Sequence, residues 1–235
     1  MRHRSVLILW AAAIAIIWQL PYGRQLLYPL SLLATYAHEL GHGLTALLLG
    51  NRFEQLTLHA DGAGQAIWLG NPGRVATALI AAGGLMGPTL AGTALLLLSR
   101  SQRLARAVLV VLAMLMVVSV ALWVRNLFGV AFVMVMAGAL GLAARFLPQG
   151  GARSLLHLIA VTLCLSWFND LGYMFSSHAM VNGEMHPSDS AVMAQALWLP
   201  FWFWGASVAV CSLAMTVLGV RVAGRQPPDA ARPNP

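Results

Sequence analysis

Lysine is absent from this chain, acidic residues number seven and cysteine occurs twice in 235 residues. Each scarcity excludes something. Charged residues make up 9%, against roughly a quarter in an ordinary soluble domain, so the chain cannot cover a water-facing surface. Cys164 and Cys211 both lie within apolar runs. They frame neither a disulfide scaffold nor a cysteine metal site and are expected to pack as small hydrophobes. All fourteen basic residues are arginine, scattered singly between apolar runs. Despite a formal net charge of +7, no basic stripe with interleaved aromatics exists for a nucleic acid to follow. What is abundant is apolar surface: 59% of residues are hydrophobic and the mean hydropathy is +0.75. The solvent for most of this chain is a lipid bilayer.

A spanning helix takes about 20 mostly apolar residues. Runs over 5–22, 26–50, 75–99, 104–124, 127–147, 153–175 and 191–220 approach or exceed that length. The expected fold is therefore an all-α polytopic membrane protein with about seven transmembrane helices. Residues 1–224 read as a single transmembrane domain and 225–235, rich in proline and polar residues, as a disordered tail. The first run follows Met1-Arg2-His3-Arg4 but has no convincing small-residue cleavage site, so it reads as a retained anchor. With seven spans, nine of the fourteen arginines fall on one side and five on the other, which favours a cytoplasmic C-terminus. Short loops and the absence of lysine fit a bacterial inner membrane.

Between the second and third runs, residues 51–74 alternate polar and apolar around Asp61-Gly62, the pattern of a β-hairpin. Residues 176–190 read as a polar loop.

Chemistry concentrates in the second run, "ATYAHELGHGLTALLLG". His38 and His42, four residues apart, stack on one face of a helix about a turn apart. In that geometry two imidazoles can hold one zinc ion (Zn2+), and Glu39 lies within reach of a water at the metal to act as general base. A bland alternative is a set of inert polar contacts between helices, but ionisable groups inside a bilayer are costly and mark functional sites.

A catalytic zinc normally takes a third protein ligand. Of the seven acidic residues only Glu39 and Asp170 lie inside apolar runs. In the seven-span arrangement Asp170 lies at the depth of His38 and His42 within about two turns, which makes it the leading third ligand, with helix packing as its alternative role. Asp189 is the rival, although Ser188 or Asp189 can equally cap the helix that follows. His59, His157, His178 and His186 have no partners at metal spacing and read as structural or solvated. Gly83, Gly84, Gly87 and Pro88 in the third run permit close helix approach.

Taken together, His38-Glu39-Leu40-Gly41-His42 in a membrane helix, the following hairpin, the Gly-Pro-containing next helix and a later membrane aspartate resemble the site-2 protease family of intramembrane zinc metalloproteases. The likeness spans roughly residues 30–190 and is nearest to the compact branch without a PDZ domain, in which a Ser-Asp pair, here Ser188-Asp189, follows the aspartate-bearing helix. The resemblance implies zinc bound by His38, His42 and Asp170, water activated by Glu39, and a transmembrane protein segment as substrate. It further implies that the 51–74 hairpin pairs with an unwound substrate strand. The chain departs from the better-known members in reading Phe168-Asn169-Asp170-Leu171-Gly172, without their Asn-Pro element and with a different order around the aspartate.

The expected function is thus an intramembrane zinc endopeptidase, a hydrolase cutting a peptide bond in or near a transmembrane segment. A metal or proton transporter using the same residues as a relay is the alternative, weakened because the polar residues cluster in two runs instead of crossing the bilayer. A non-catalytic scaffold is a third reading, which the intact motif does not favour.

Overall fold

A computed structural model describes residues 9–14, 16–17, 20–181 and 183–224. The first expected span lies only partly within them and the tail, 225–235, wholly outside. A short helix α1 (Gly23–Leu26) leads into α2 (Tyr28–Leu48), whose first turn carries Pro29, a position where the missing N–H costs nothing. Then come strands β1 (Arg52–Leu58) and β2 (Gly64–Leu69) and helices α3 (Arg74–Leu98), α4 (Gln102–Leu122), α5 (Leu127–Phe146), α6 (Gln149–Asn169) and α7 (Leu171–Met174). A second strand pair, β3 (His178–Val181) and β4 (Glu184–Pro187), precedes α8 (Asp189–Leu197) and α9 (Phe201–Ala223).

Among the described residues five helices are long and apolar enough to cross a membrane: Arg74–Leu98, Leu104–Leu122, Leu127–Phe146, Gln149–Asn169 and Phe201–Ala223. Their outer faces keep large apolar side chains uncovered, as at Val135 and Leu142, 72% and 60% exposed, which only lipid can solvate at low cost. The molecule is a multi-pass integral membrane protein. Seven spans are not confirmed: the five correspond to the third to seventh expected runs, and the first expected run lies only partly within the described residues. Helix α2 forms, but its histidines and glutamate keep it out of the five. The long run 191–220 is broken: Trp198 adopts φ 63° and Pro200 follows, so α8 stops after nine residues and α9 starts afresh. Arg74 secures the break, donating from Nε to the Ala196 carbonyl at 2.7 Å with its guanidinium 3.7 Å over the Trp198 ring.

Helix α3 is central, packing against α2, α6, α8 and α9. It approaches α2 at backbone distance, since a Cβ on Gly41 would sit 2.2 Å from the Gly83 carbonyl oxygen.

The expected hairpin is β1–β2, antiparallel, with a register irregularity between Phe53 and Gln55. Its turn uses Gly62 at φ 93°, and Asp61 Oδ1 accepts the Ala63 N–H at 2.9 Å. Tyr28 and Thr35 tie the turn to α2, donating to the Ala60 and Gly62 carbonyls, each at 2.9 Å.

Strand β1 is held on both edges. Leu56 N–H donates to the Trp123 carbonyl at 2.8 Å and Arg125 N–H to the Leu56 carbonyl at 3.1 Å. Two residues on, the Asn126 side chain stands in for a strand, accepting the Leu58 N–H at 3.2 Å and donating to its carbonyl at 2.5 Å. Replacing Asn126 by alanine orphans both groups, and each buried unsatisfied group costs about 1–3 kcal/mol. Asn126→Ala is expected to lower the thermal unfolding midpoint in detergent by several degrees. An unchanged midpoint would mean that water replaces the amide.

Strand β2, by contrast, has no strand partner on its other edge among the described residues. Residues 176–190, expected as a polar loop, fold instead as the antiparallel pair β3–β4, with Val181 opposite Glu184 and Gly183 at φ 82°. Asn182-Gly183 is a strong hairpin signal hidden within a polar stretch.

Candidate metal centre

On α2 the i, i+4 spacing brings His38 Nε2 and His42 Nε2 to 3.0 Å. The third donor comes from the start of α8: Asp189 Oδ2 lies 3.0 Å from His38 Nε2 and Oδ1 3.3 Å from His42 Nε2. Among the described residues this is the one group of three or more potential ligands whose donor atoms all lie within 4.8 Å of one another. A tetrahedral zinc with ligands at about 2.0–2.1 Å holds its donors roughly 3.3 Å apart, close to the separations found.

The tautomer agrees. His42 Nδ1 lies 2.8 Å from the Ile80 carbonyl oxygen, which can only accept, so Nδ1 carries the proton in that bond. In neutral imidazole this leaves the Nε2 lone pair facing the group, the outer-shell arrangement usual for a metal-ligating histidine. Gly84 makes room for the ring: a Cβ there would fall 2.1 Å from His42 Nε2.

Local chemistry explains how Asp189 arrives. Ser188, and not Asp189, caps α8, its Oγ accepting the Ala191 N–H at 3.2 Å. Ser188 N–H donates to the Ser177 carbonyl at 3.1 Å and Ser190 Oγ to the Met174 carbonyl at 2.7 Å. With capping done by its neighbour, the Asp189 carboxylate is free to turn towards the histidines. Asp189 lies outside the five spans. Burial by itself raises a carboxyl pKa, but here His42 and His38 outweigh it and hold the group well below the usual carboxylate range.

Asp170, expected as the third ligand, is not in this group. It terminates α6, takes a 3.4 Å hydrogen bond from Asn169 Nδ2, and lines a cavity of about 530 Å³ together with His38, Glu39 and Asn169. The helix ends one residue before Asp170 and resumes as α7, so Asp170 sits at a break and not within a continuous span.

Glu39 is 6% exposed. Its side chain packs against β2, where a Cβ on Gly64 would come within 2.7 Å of its Cγ. A second cavity of about 230 Å³, lined by His38, Glu39, His42 and Asp189, adjoins the first. Both share Gly64, Tyr173 and Val181, and neither is lined by a described arginine. Among the described residues the remaining histidines stay outside the three-donor group: His157 is buried in α6, His59 and His178 pair with Thr57 and Ser177, and His186 lines the wall of the smaller cavity. Tyr173, whose hydroxyl donates to Asp189 Oδ2 at 3.0 Å, carried no sequence signal.

Fold and site together define a class: a multi-pass membrane protein with a helix-borne His/His/Asp group suited to a metal and a buried glutamate beside it. The chain belongs to the Peptidase M50B-like family, whose family model matches residues 7–219, and with it to the site-2 proteases that its motif resembles. Membership makes it a metallopeptidase by class. No curated protein and no solved structure matches the chain significantly.

Proposed function

We propose that this protein is an intramembrane zinc endopeptidase that cuts a transmembrane protein segment, with His38, His42 and Asp189 holding the metal and Glu39 acting as general base. The observation that carries this is the convergence of three donors at 3.0–3.3 Å beside a buried glutamate. Nitrogen and carboxylate donors in a compact set suit zinc. When bound, zinc polarises a peptide carbonyl and makes water a usable nucleophile near neutral pH.

The protein's own groups do the rest. Glu39 takes the proton of the attacking water and is in place to hand it to the leaving amide nitrogen. Burial among α2, β2 and the cavity walls limits competing water. A helical substrate must unwind first, because its carbonyls are otherwise bonded within the helix, and β2 can receive the unwound strand. Leu56 and Leu58 spend their N–H and C=O groups on Trp123, Arg125 and Asn126. Their partners Ala66 and Gly64 therefore direct their own polar backbone groups away from β1, toward the cavities that hold His38 and Glu39. A strand added there runs past the general base. Short loops and arginine as the sole basic residue support a bacterial inner membrane as host.

Glu39→Gln is the test. The amide keeps the shape but cannot accept a proton as a base, so the variant, reconstituted with a model transmembrane substrate, should retain zinc at parent stoichiometry and lose cleavage by at least about 100-fold. Undiminished cleavage by that variant would sink the mechanism.

A further inference from the structure

We infer that Tyr173 is a positioning residue that sets the Asp189 carboxylate and, through it, the affinity of the site for metal. The inference rests on the metalloprotease reading above. The two histidines share one long helix, so their mutual placement follows from helix geometry. Asp189 has no such support. It opens a helix of nine residues that follows a hairpin, far along the chain from α2.

Four contacts fasten that helix start, and they do different things. The Ser188 N–H to the Ser177 carbonyl, Ser188 Oγ to the Ser176 carbonyl and Ser190 Oγ to the Met174 carbonyl anchor the segment without touching the carboxylate. Tyr173 alone of these grips the ligand residue at two points. Its hydroxyl accepts the Asp189 backbone N–H at 3.1 Å and donates to Asp189 Oδ2 at 3.0 Å. The N–H is a first-turn donor without an intrahelical partner, and a phenol has one proton to give. Accepting from the backbone leaves that proton for the carboxylate, so the bridge between main chain and side chain fixes the Asp189 rotamer.

The phenol is itself confined. Its ring stands edge-on to His38, centroids 6.1 Å apart at 75°, and it lines both cavities. Tyr173 thus contacts two of the three donors in the group. With its proton engaged, the hydroxyl has none spare for a substrate oxygen, which separates a positioning role from a catalytic one.

Zinc affinity of the purified full-length protein, measured by competition with a chromophoric chelator, tests this without any substrate. Tyr173→Phe keeps the ring and removes the bridge. It should weaken zinc binding about 10–100-fold, the usual cost of losing an outer-shell partner, while the metal-stripped variant unfolds within a few degrees of the parent. Tyr28→Phe, which loses a hydroxyl bond to the Ala60 carbonyl at the larger cavity, should bind zinc as the parent does. Unchanged affinity in Tyr173→Phe overturns the inference. So does a fall in kcat at parent zinc affinity, which would put the hydroxyl on the reacting atoms. Metal loss that merely follows unfolding of the stripped variant overturns it too. A parent that binds no zinc brings down the metalloprotease reading and this inference with it, whereas a zinc-binding parent with an equally tight Phe variant removes the inference alone.

Discussion

Asp189→Asn is expected to strip the protein of zinc and of proteolysis, whereas Asp170→Asn should keep its metal. Asparagine nearly preserves the volume of aspartate but removes the charge that faces both Nε2 atoms at 3.0 and 3.3 Å. Loss of a direct ligand should exceed the roughly 100-fold affinity cost of losing an outer-shell partner, and catalysis falls with occupancy. Asp170 has a different environment, with Asn169 as its hydrogen-bond donor and the larger cavity in front of it. Its amide variant should bind zinc within about threefold of the parent, well inside that outer-shell range, with any change in cleavage confined to KM. Metal content by elemental analysis, read beside cleavage of a reconstituted substrate, separates the two. The opposite result, zinc lost from Asp170→Asn and kept by Asp189→Asn, would return the third ligand to Asp170.

The contrast between these two aspartates marks what sequence can carry. His38, Glu39 and His42 were legible because their relation is local: helix geometry alone stacks positions i and i+4. The β1–β2 hairpin was legible for the same reason, since alternation and Asp61-Gly62 are short-range signals. Depth in the bilayer was a weaker guide. It ranks only residues inside apolar runs and assumes a continuous helix over 153–175, whereas α6 ends at Asn169. Asp189 lies outside any such run and reaches α2 through the β3–β4 pair and the Ser188 cap, a tertiary arrangement that no spacing rule encodes. Some signals were present and outweighed: Asn182-Gly183 marks a hairpin turn, and Pro200 marks the end of a helix. Others were absent. Nothing local distinguishes Tyr173 from any other tyrosine, and the Ile80 carbonyl that orients His42 carries no sequence identity at all.

Gly84→Ala should abolish zinc binding and activity while leaving a folded protein. A Cβ at Gly84 would lie 2.1, 2.2 and 2.6 Å from His42 Nε2, Cε1 and Cδ2, so the ring must move. It cannot move and keep its function, because Nδ1 is bound to the Ile80 carbonyl on one side and Nε2 faces His38 and Asp189 on the other. Nor can α2 withdraw without disturbing the backbone contact at Gly41 and Gly83. The overpacking cost is about 1–3 kcal/mol, tolerable for the fold and fatal to a site whose donors must converge. Small residues at membrane helix crossings usually serve packing alone, and Gly83→Ala isolates that effect. Its Cβ would lie 2.1 and 2.8 Å from Thr45 Oγ1 and Cβ and 3.0 Å from the Gly41 carbonyl oxygen, and does not have His42 among its nearest neighbours. It should lower stability and spare the metal. Gly138→Ala, with nothing within 4 Å, should change neither metal content nor activity. If Gly83→Ala loses zinc as readily as Gly84→Ala, helix spacing governs the site; if only Gly84→Ala does, the glycine is there to seat a metal-binding imidazole.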